Sequence, residues 1–223
     1  MTFSILAVDE TGAIGSAICS SSPAVAARCV NLTENVGGAH SQNITDPRLG
    51  PRLLRGLGRG LPVDEAMRDV VGSTADIEYR QLMAIDAGGR SAVYSGAHVL
   101  GVFGEARSAS AVAAGNMLAR PDVPQRMIDA FEASAGELES RLLAALTAAM
   151  DAGGEEGPVH SAGLAVVRNA GWRVSDLRVD WSADPVGELS EILTDVWMPQ
   201  RDAYIVRGLH PAAAPGYGVP GDE

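Results

Sequence analysis

The chain has 223 residues, 46% of them hydrophobic and 20% charged, a composition that supports one full core and excludes a disordered chain. Its 28 acidic side chains outnumber 17 basic ones, for a formal net charge of −11, so phosphate backbones repel it and nucleic acid is excluded as a partner. All 17 basic residues are Arg; without Lys the chain cannot hold a P-loop, a Schiff base or a Lys general base.

The opening run Met1-Thr2-Phe3-Ser4-Ile5-Leu6-Ala7-Val8-Asp9 has no basic region and no long apolar stretch, so it does not read as an export signal. No segment approaches the ~20 apolar residues of a membrane-spanning helix. Cytoplasmic location and no membrane partner are therefore expected, with Cys19 and Cys29 reduced. Residues 3–8 predict a strand, Asp9-Glu10-Thr11-Gly12 a turn, and residues 13–19 the returning strand. A four-residue turn pairs Val8 with Ala13 and sets Thr2 opposite Cys19, within one residue. Both faces of this hairpin are small or apolar, which predicts cover on both sides.

Residues 36–45 predict a further strand. Helical spacing then joins Leu49, Leu53, Leu54 and Leu57, and again Val63, Met67, Val70 and Val71. Strands are expected at 78–86, 90–95, 99–103 and 109–114. Two helices follow, one opened by Pro124 and carrying Val123, Met127 and Phe131, the other carrying Leu138, Leu142, Leu146 and Met150. Residues 160–168 and 172–181 predict a hairpin about Asn169-Ala170-Gly171, and 186–197 a helix, with another at 199–208. Strand runs alternating with helix pairs imply an α+β fold, two mainly antiparallel sheets stacked between helices.

Thr2 followed by Phe3-Ser4-Ile5 and a short hairpin resembles the start of an N-terminal nucleophile (Ntn) hydrolase. The chain is more closely similar to the bacterial domain-of-unknown-function family 1028, grouped with those enzymes. The resemblance rests on Ser20-Ser21-Ser22-Pro23-Ala24-Val25-Ala26-Ala27-Arg28, Ser41-Gln42-Asn43-Ile44-Thr45-Asp46-Pro47, Glu78-Tyr79-Arg80-Gln81-Leu82, Ala114-Gly115-Asn116-Met117-Leu118-Ala119 and Asp176-Leu177-Arg178-Val179-Asp180. It runs to about residue 207 and implies a four-layer αββα sandwich forming one domain over residues 1–209. His40 departs from it, standing where a small residue is expected, and the missing Lys departs from proteasome-like relatives.

The resemblance makes Thr2 the candidate nucleophile. Its own α-amine, with an ordinary pKa of ~8, would act as base once Met1 is removed. By the hairpin pairing, Ser20, Ser21 and Ser22 fall near Thr2, where hydroxyls could orient the amine or the substrate. Asn116, after Gly115 at a strand end, could hold an oxyanion with its amide; a plain turn residue is the alternative. Arg28 and Arg80 could clamp a substrate carboxylate, and Arg178 fits internal pairing with Asp176 and Asp180 better. Cys19 reads as a small buried residue. His40, His98, His160 and His210 lack metal-ligand spacing, and no metal or cofactor is expected. Gly56-Leu57-Gly58-Arg59-Gly60 lies inside a helical stretch and lacks the context of a phosphate loop.

The expected function is hydrolysis of a small amide or related C–N bond, with a small-molecule substrate. The rival is a non-catalytic Ntn-like protein that binds a small ligand or serves assembly. Residues 211–223 hold three Pro and three Gly in 13 residues, so 210–223 reads as an extended arm. Tyr217 and Val219 between glycines suit an arm lying on an apolar groove of a second copy, and a homodimer is expected.

Overall fold

The structure is a computed structural model that describes residues 1–213 and Gly216. Alternating small and apolar residues make β1 (Thr2–Val8) and β2 (Ile14–Ser20), and every residue of both is buried. The turn between them is closed by Asp9, whose carboxylate accepts from the Thr11 and Ala13 amides, while Gly12 supplies the positive φ of 82°. Asp9 N–H also donates to Ala13 O, so Asp9 and Ala13 close the turn and Val8 pairs with Ile14. This corrects the expected register by one residue: Phe3, not Thr2, lies opposite Cys19. The shift turns each β2 side chain to the other face. Ser16, Ile18 and Ser20 now share a face with Thr2, Ser4 and Leu6.

The chain continues through α1 (Val25–Cys29), β3 (Val30–Thr33), β4 (Gly37–Asn43), α2 (Leu49–Gly58), α3 (Val63–Gly72), β5 (Arg80–Asp86), β6 (Ser91–Ser95), β7 (Gly104–Arg107), β8 (Ala111–Asn116), α4 (Val123–Ala133) and α5 (Leu138–Asp151). It ends with β9 (Ser161–Val167), β10 (Arg173–Val179), α6 (Pro185–Glu191) and α7 (Met198–Leu209). Two antiparallel sheets result, one of six strands in the order β10-β9-β2-β1-β8-β7 and one of four in the order β3-β4-β5-β6. Helices α4 and α5 bury Met127, Phe131, Leu142 and Leu146 against Phe3, Ile5 and Ala17 on the outer face of the larger sheet. Helices α2 and α3 bury Leu49, Leu53, Leu57, Val63 and Met67 against Leu82 and Ala84 on the outer face of the smaller one. Between the sheets lie Leu6, Val8, Ile14, Met83, Ile85 and Val112. The expected αββα layering is therefore present.

Three details differ from the sequence reading. Residues 99–103 are not a strand: they lie along residues 117–118, with Met117 N–H on Leu100 O and Leu118 N–H on Val102 O, and β7 begins only at Gly104. Helix α1 and strand β3 are too short for periodicity to register. The last helical stretch is broken between α6 and α7 by a π-helical segment, Ile192–Trp197, which brings Trp197 Nε1 within 2.8 Å of Ser175 Oγ as donor. No helix among the described residues is long and apolar enough to cross a membrane. Tyr217 and Val219 of the expected arm lie outside the described residues.

Candidate active site

β1 is a central strand, so its first residue opens onto a sheet end flanked on both sides. On one flank Thr2 pairs with Asn116, the last residue of β8. On the other, Ser20 ends β2 one step beyond the Phe3–Cys19 pair. Thr2 is 5% exposed, and its Oγ1 lies 3.5 Å from Ser20 Oγ. The hydroxyls of Thr2 and Ser20 both donate to the carbonyl oxygen of Met1. Ser20 Oγ in turn accepts from Ser22 N–H at 3.0 Å. A hydroxyl that could attack, a carbonyl and a second hydroxyl donor thus meet at one buried point.

Glu155 completes this end of the sheet. Gly153 and Gly154, with φ of 104° and 57°, turn the chain after α5, and a single bridge from Glu155 to Leu118 draws the residue inward. Its carboxylate is 4% exposed and accepts from Ser21 N–H with both oxygens at 3.2 Å. Burial pushes its pKa up to about 7, against the pull of the chain's N-terminal ammonium and of Ser21. Sequence reading missed Glu155, because Gly-Gly-Glu-Glu after a helix has the appearance of a solvated turn. Its partner Ser21 is more than a hundred residues away in the chain.

A buried polar chain leads inward from Asn116. Asn116 Nδ2 donates to Gln81 Oε1 at 3.0 Å, and Gln42 Nε2 donates to the same oxygen at 2.8 Å. Ser4 Oγ donates to Gln42 Oε1 at 2.8 Å and lies 3.0 Å from His40 Nδ1, while Ser16 Oγ lies 2.7 Å from His40 Nε2. All six residues are fully buried between the sheets. Burial holds the His40 pKa down at about 3, so the ring is neutral. Ser4 spends its hydroxyl proton on Gln42, so Nδ1 of His40 carries the ring proton and Nε2 accepts from Ser16. The sequence signal for this layer was available in β5, where Gln81 shares a face with the apolar Met83 and Ile85.

The remaining candidates scatter. Ser21 and Ser22 border the site through their backbone amides, and Ser22 O accepts from Ser161 Oγ at 2.6 Å. Arg28 lies in the last turn of α1, its guanidinium donating to Pro23 O. Arg80 does not join Thr2. In β5, Gln81, Met83 and Ile85 face the other sheet, so Arg80 points with Leu82 and Ala84 to the helix side. There it lines a separate cavity of about 380 Å³ with Arg48, Arg52 and Thr74, and its guanidinium donates to Ile44 O. Arg178 pairs with Asp180 at 3.5 Å, whereas Asp176 pairs with Arg173 at 2.9 Å. Cys19 is buried, and burial raises its thiol pKa well above the ordinary value, leaving it a poor nucleophile. Among the described residues no group of three or more His, Cys, Asp and Glu side chains could hold a metal ion.

Comparison with known proteins places this site in context. A family model described as "Family of unknown function (DUF1028)" matches residues 2–189. The crystal structure of a DUF1028 protein from Silicibacter pomeroyi is 33% identical and superposes with a TM-score of 0.85, covering 92% of this chain and 89% of that one. The Anbu (ancestral beta-subunit) protein of Yersinia bercovieri is 10% identical with a TM-score of 0.40, over 86% of this chain and 93% of that one. No curated protein matches.

Proposed function

The chain belongs to the DUF1028 family, and from the geometry of its N-terminal site we propose that it hydrolyses an amide or related C–N bond with Thr2 as an N-terminal nucleophile. The observation that carries this reading is the meeting of the Thr2 and Ser20 hydroxyls on one carbonyl oxygen. That oxygen belongs to Met1, and it stands in for the carbonyl of a substrate.

Removal of Met1 turns the amide nitrogen of Thr2 into a free amine and vacates the space beside both hydroxyls. The amine takes the Oγ1 proton, directly or through one water, as Oγ1 attacks the substrate carbonyl. The Ser20 hydroxyl donates to the oxyanion that develops. As the tetrahedral intermediate collapses, the ammonium returns its proton to the leaving nitrogen. Water then hydrolyses the ester on Thr2, using the same amine as base. Glu155, a carboxyl that titrates near neutrality beside the terminus, helps set the charge of the amine.

Two measurements test the reading. Intact mass of protein purified from its own host should show loss of one methionine. An amide-directed acylating reagent should then modify Thr2, and Thr2→Ala should lower turnover by roughly 10³-fold or more while Thr2→Ser retains part of it. Ser20→Ala should cost about 10²-fold. Full retention of Met1 favours the other reading, a ligand-binding or assembly protein, because the Thr2 nitrogen would remain an amide and the Met1 carbonyl would keep the Ser20 hydroxyl occupied.

A further inference from the structure

We propose that Asn116 serves the N-terminal site as an acceptor, its Oδ1 receiving a hydrogen bond from the α-ammonium of Thr2, and that the buried Gln42–Gln81 pair fixes it in that orientation. The proposal rests on Thr2 being the first residue of the working protein.

Two backbone carbonyls, which can only accept, fix the amide orientations. Gly115 O receives Gln81 Nε2 at 3.1 Å, and Ala114 O receives Gln42 Nε2 at 3.3 Å. Gln81 Nε2 also donates to Ser95 Oγ at 3.1 Å. The two carbonyl contacts settle which end of each amide is nitrogen. With its nitrogen committed to Gly115 O, Gln81 turns Oε1 toward Gln42 and Asn116. Gln42 fills one side of that oxygen, and Asn116 must offer its own nitrogen to the other. Asn116 therefore cannot rotate its amide by 180° without setting two acceptor oxygens against each other.

The oxygen of Asn116 is left over. Asn116 is fully buried and Oδ1 has no hydrogen-bond partner, which is costly for a buried carbonyl and asks for a donor. The residue directly across the ladder is Thr2, and opposed residues of an antiparallel pair project from the same face. While Met1 is attached, the Thr2 nitrogen has one hydrogen at most to give; once Met1 is gone it has three. This differs from the oxyanion-donor role that the sequence suggests for Asn116, since the free atom is an acceptor and repels an oxyanion. Donation to that role falls to Ser20. The titratable groups that feel the charge of the same terminus are the Glu155 carboxyl and the Cys29 thiol, the latter also beside Arg28.

The chain contains no Lys, so in a protein that begins at Thr2 the α-amine is the only amine. Its pKa can be read from the pH dependence of carbamoylation by cyanate. The experiment uses chain released from a cleavable leader with Thr2 first, so it does not depend on processing in the cell. An acceptor that holds the ammonium raises its pKa, so Asn116→Ala should lower it by about one unit. Asn116→Asp, which keeps the shape and adds a negative charge, should raise it, and it covers the case in which the alanine variant fails to fold. An amine pKa unmoved in both variants overturns the proposal. So does a fall in acylation of Thr2 by Asn116→Ala with the amine pKa unchanged, which would make Asn116 an oxyanion donor. Absence of acylation in every variant, with the pKa still responding to Asn116, overturns the hydrolase reading and leaves this one standing.

Discussion

At the scale of single residues, two buried titratable groups pull stability in opposite directions with pH. The Glu155 carboxyl has its pKa raised from 4.5 to about 7 by burial. Between those values the folded state binds more protons than the unfolded one, so stability falls as pH rises. The His40 imidazole has its pKa lowered from 6.5 to about 3, again by burial. Between those values the unfolded state binds more protons, so stability falls as pH drops. From pH 4.5 to 6.5 the two slopes oppose, each about 1.4 kcal/mol per pH unit where one proton is exchanged. Glu155→Gln keeps an acceptor for Ser21 and should expose the His40 slope, with stability rising across this window. His40→Gln should expose the Glu155 slope, with stability falling. Urea denaturation across a pH series reads both, and parallel curves for wild type and Glu155→Gln would refute the assignment.

At the scale of elements, the helix after the π-helical segment is tied down by charge more than by apolar contact. Arg201 is the buried residue of α7. Its guanidinium meets Glu139 at 3.2 Å and Glu137 at 3.2 Å, both at the start of α5. Glu139 is fully buried and is also held by Arg168 and by Ser175 Oγ, the latter at 2.9 Å. Removing Glu139 takes the fully buried carboxylate away from Arg201 and Arg168, which keep only the partly exposed Glu137 and, for Arg201, Asp202, so Glu139→Ala should destabilise by about 3 kcal/mol in chemical denaturation. Elsewhere on the same helix, exposed-pair substitutions such as Asp202→Ala should change little, because the Asp202 side chain is 78% exposed. The first hairpin makes a related point. Gly15 faces α5, where a Cβ would come within 2.5 Å of Leu142 Cδ1. Close packing of helix on sheet therefore depends on the register that the Asp9–Ala13 closure sets.

At the scale of the whole molecule, the prediction concerns assembly. The homodimer expected from the composition of residues 210–223 predicts a dimeric mass in light scattering at micromolar concentration. It also predicts loss of the dimer on truncation after Leu209. A monomeric full-length protein would end the dimer expectation, and an unchanged oligomer after truncation would remove the arm from the interface. The same truncation should leave the site at Thr2 intact, since Ser20, Asn116, Glu155 and every named strand and helix precede the cut.

By itself the sequence determined the layers. Short, two-sided apolar runs such as Phe3–Val8 and helical spacing such as Leu49–Leu53–Leu57 report which segments must leave water, and that is enough for two sheets between helices. It also set Ser20 near Thr2, because hairpin pairing is local geometry, and singled out Asn116 as a strand-end amide without placing it beside Thr2. Tertiary structure alone decided the rest. The hairpin register turned on one carboxylate closing a turn. Glu155 reached the site through a single bridge to Leu118. Arg80 went to the other side of its sheet because side chains alternate. The free end of Asn116 became an acceptor because Gly115 O, on the opposite sheet from Gln81, accepts from Gln81. Apart from the Asp9 turn, these contacts join residues 34 to 134 positions apart, and periodicity along the chain carries no record of them.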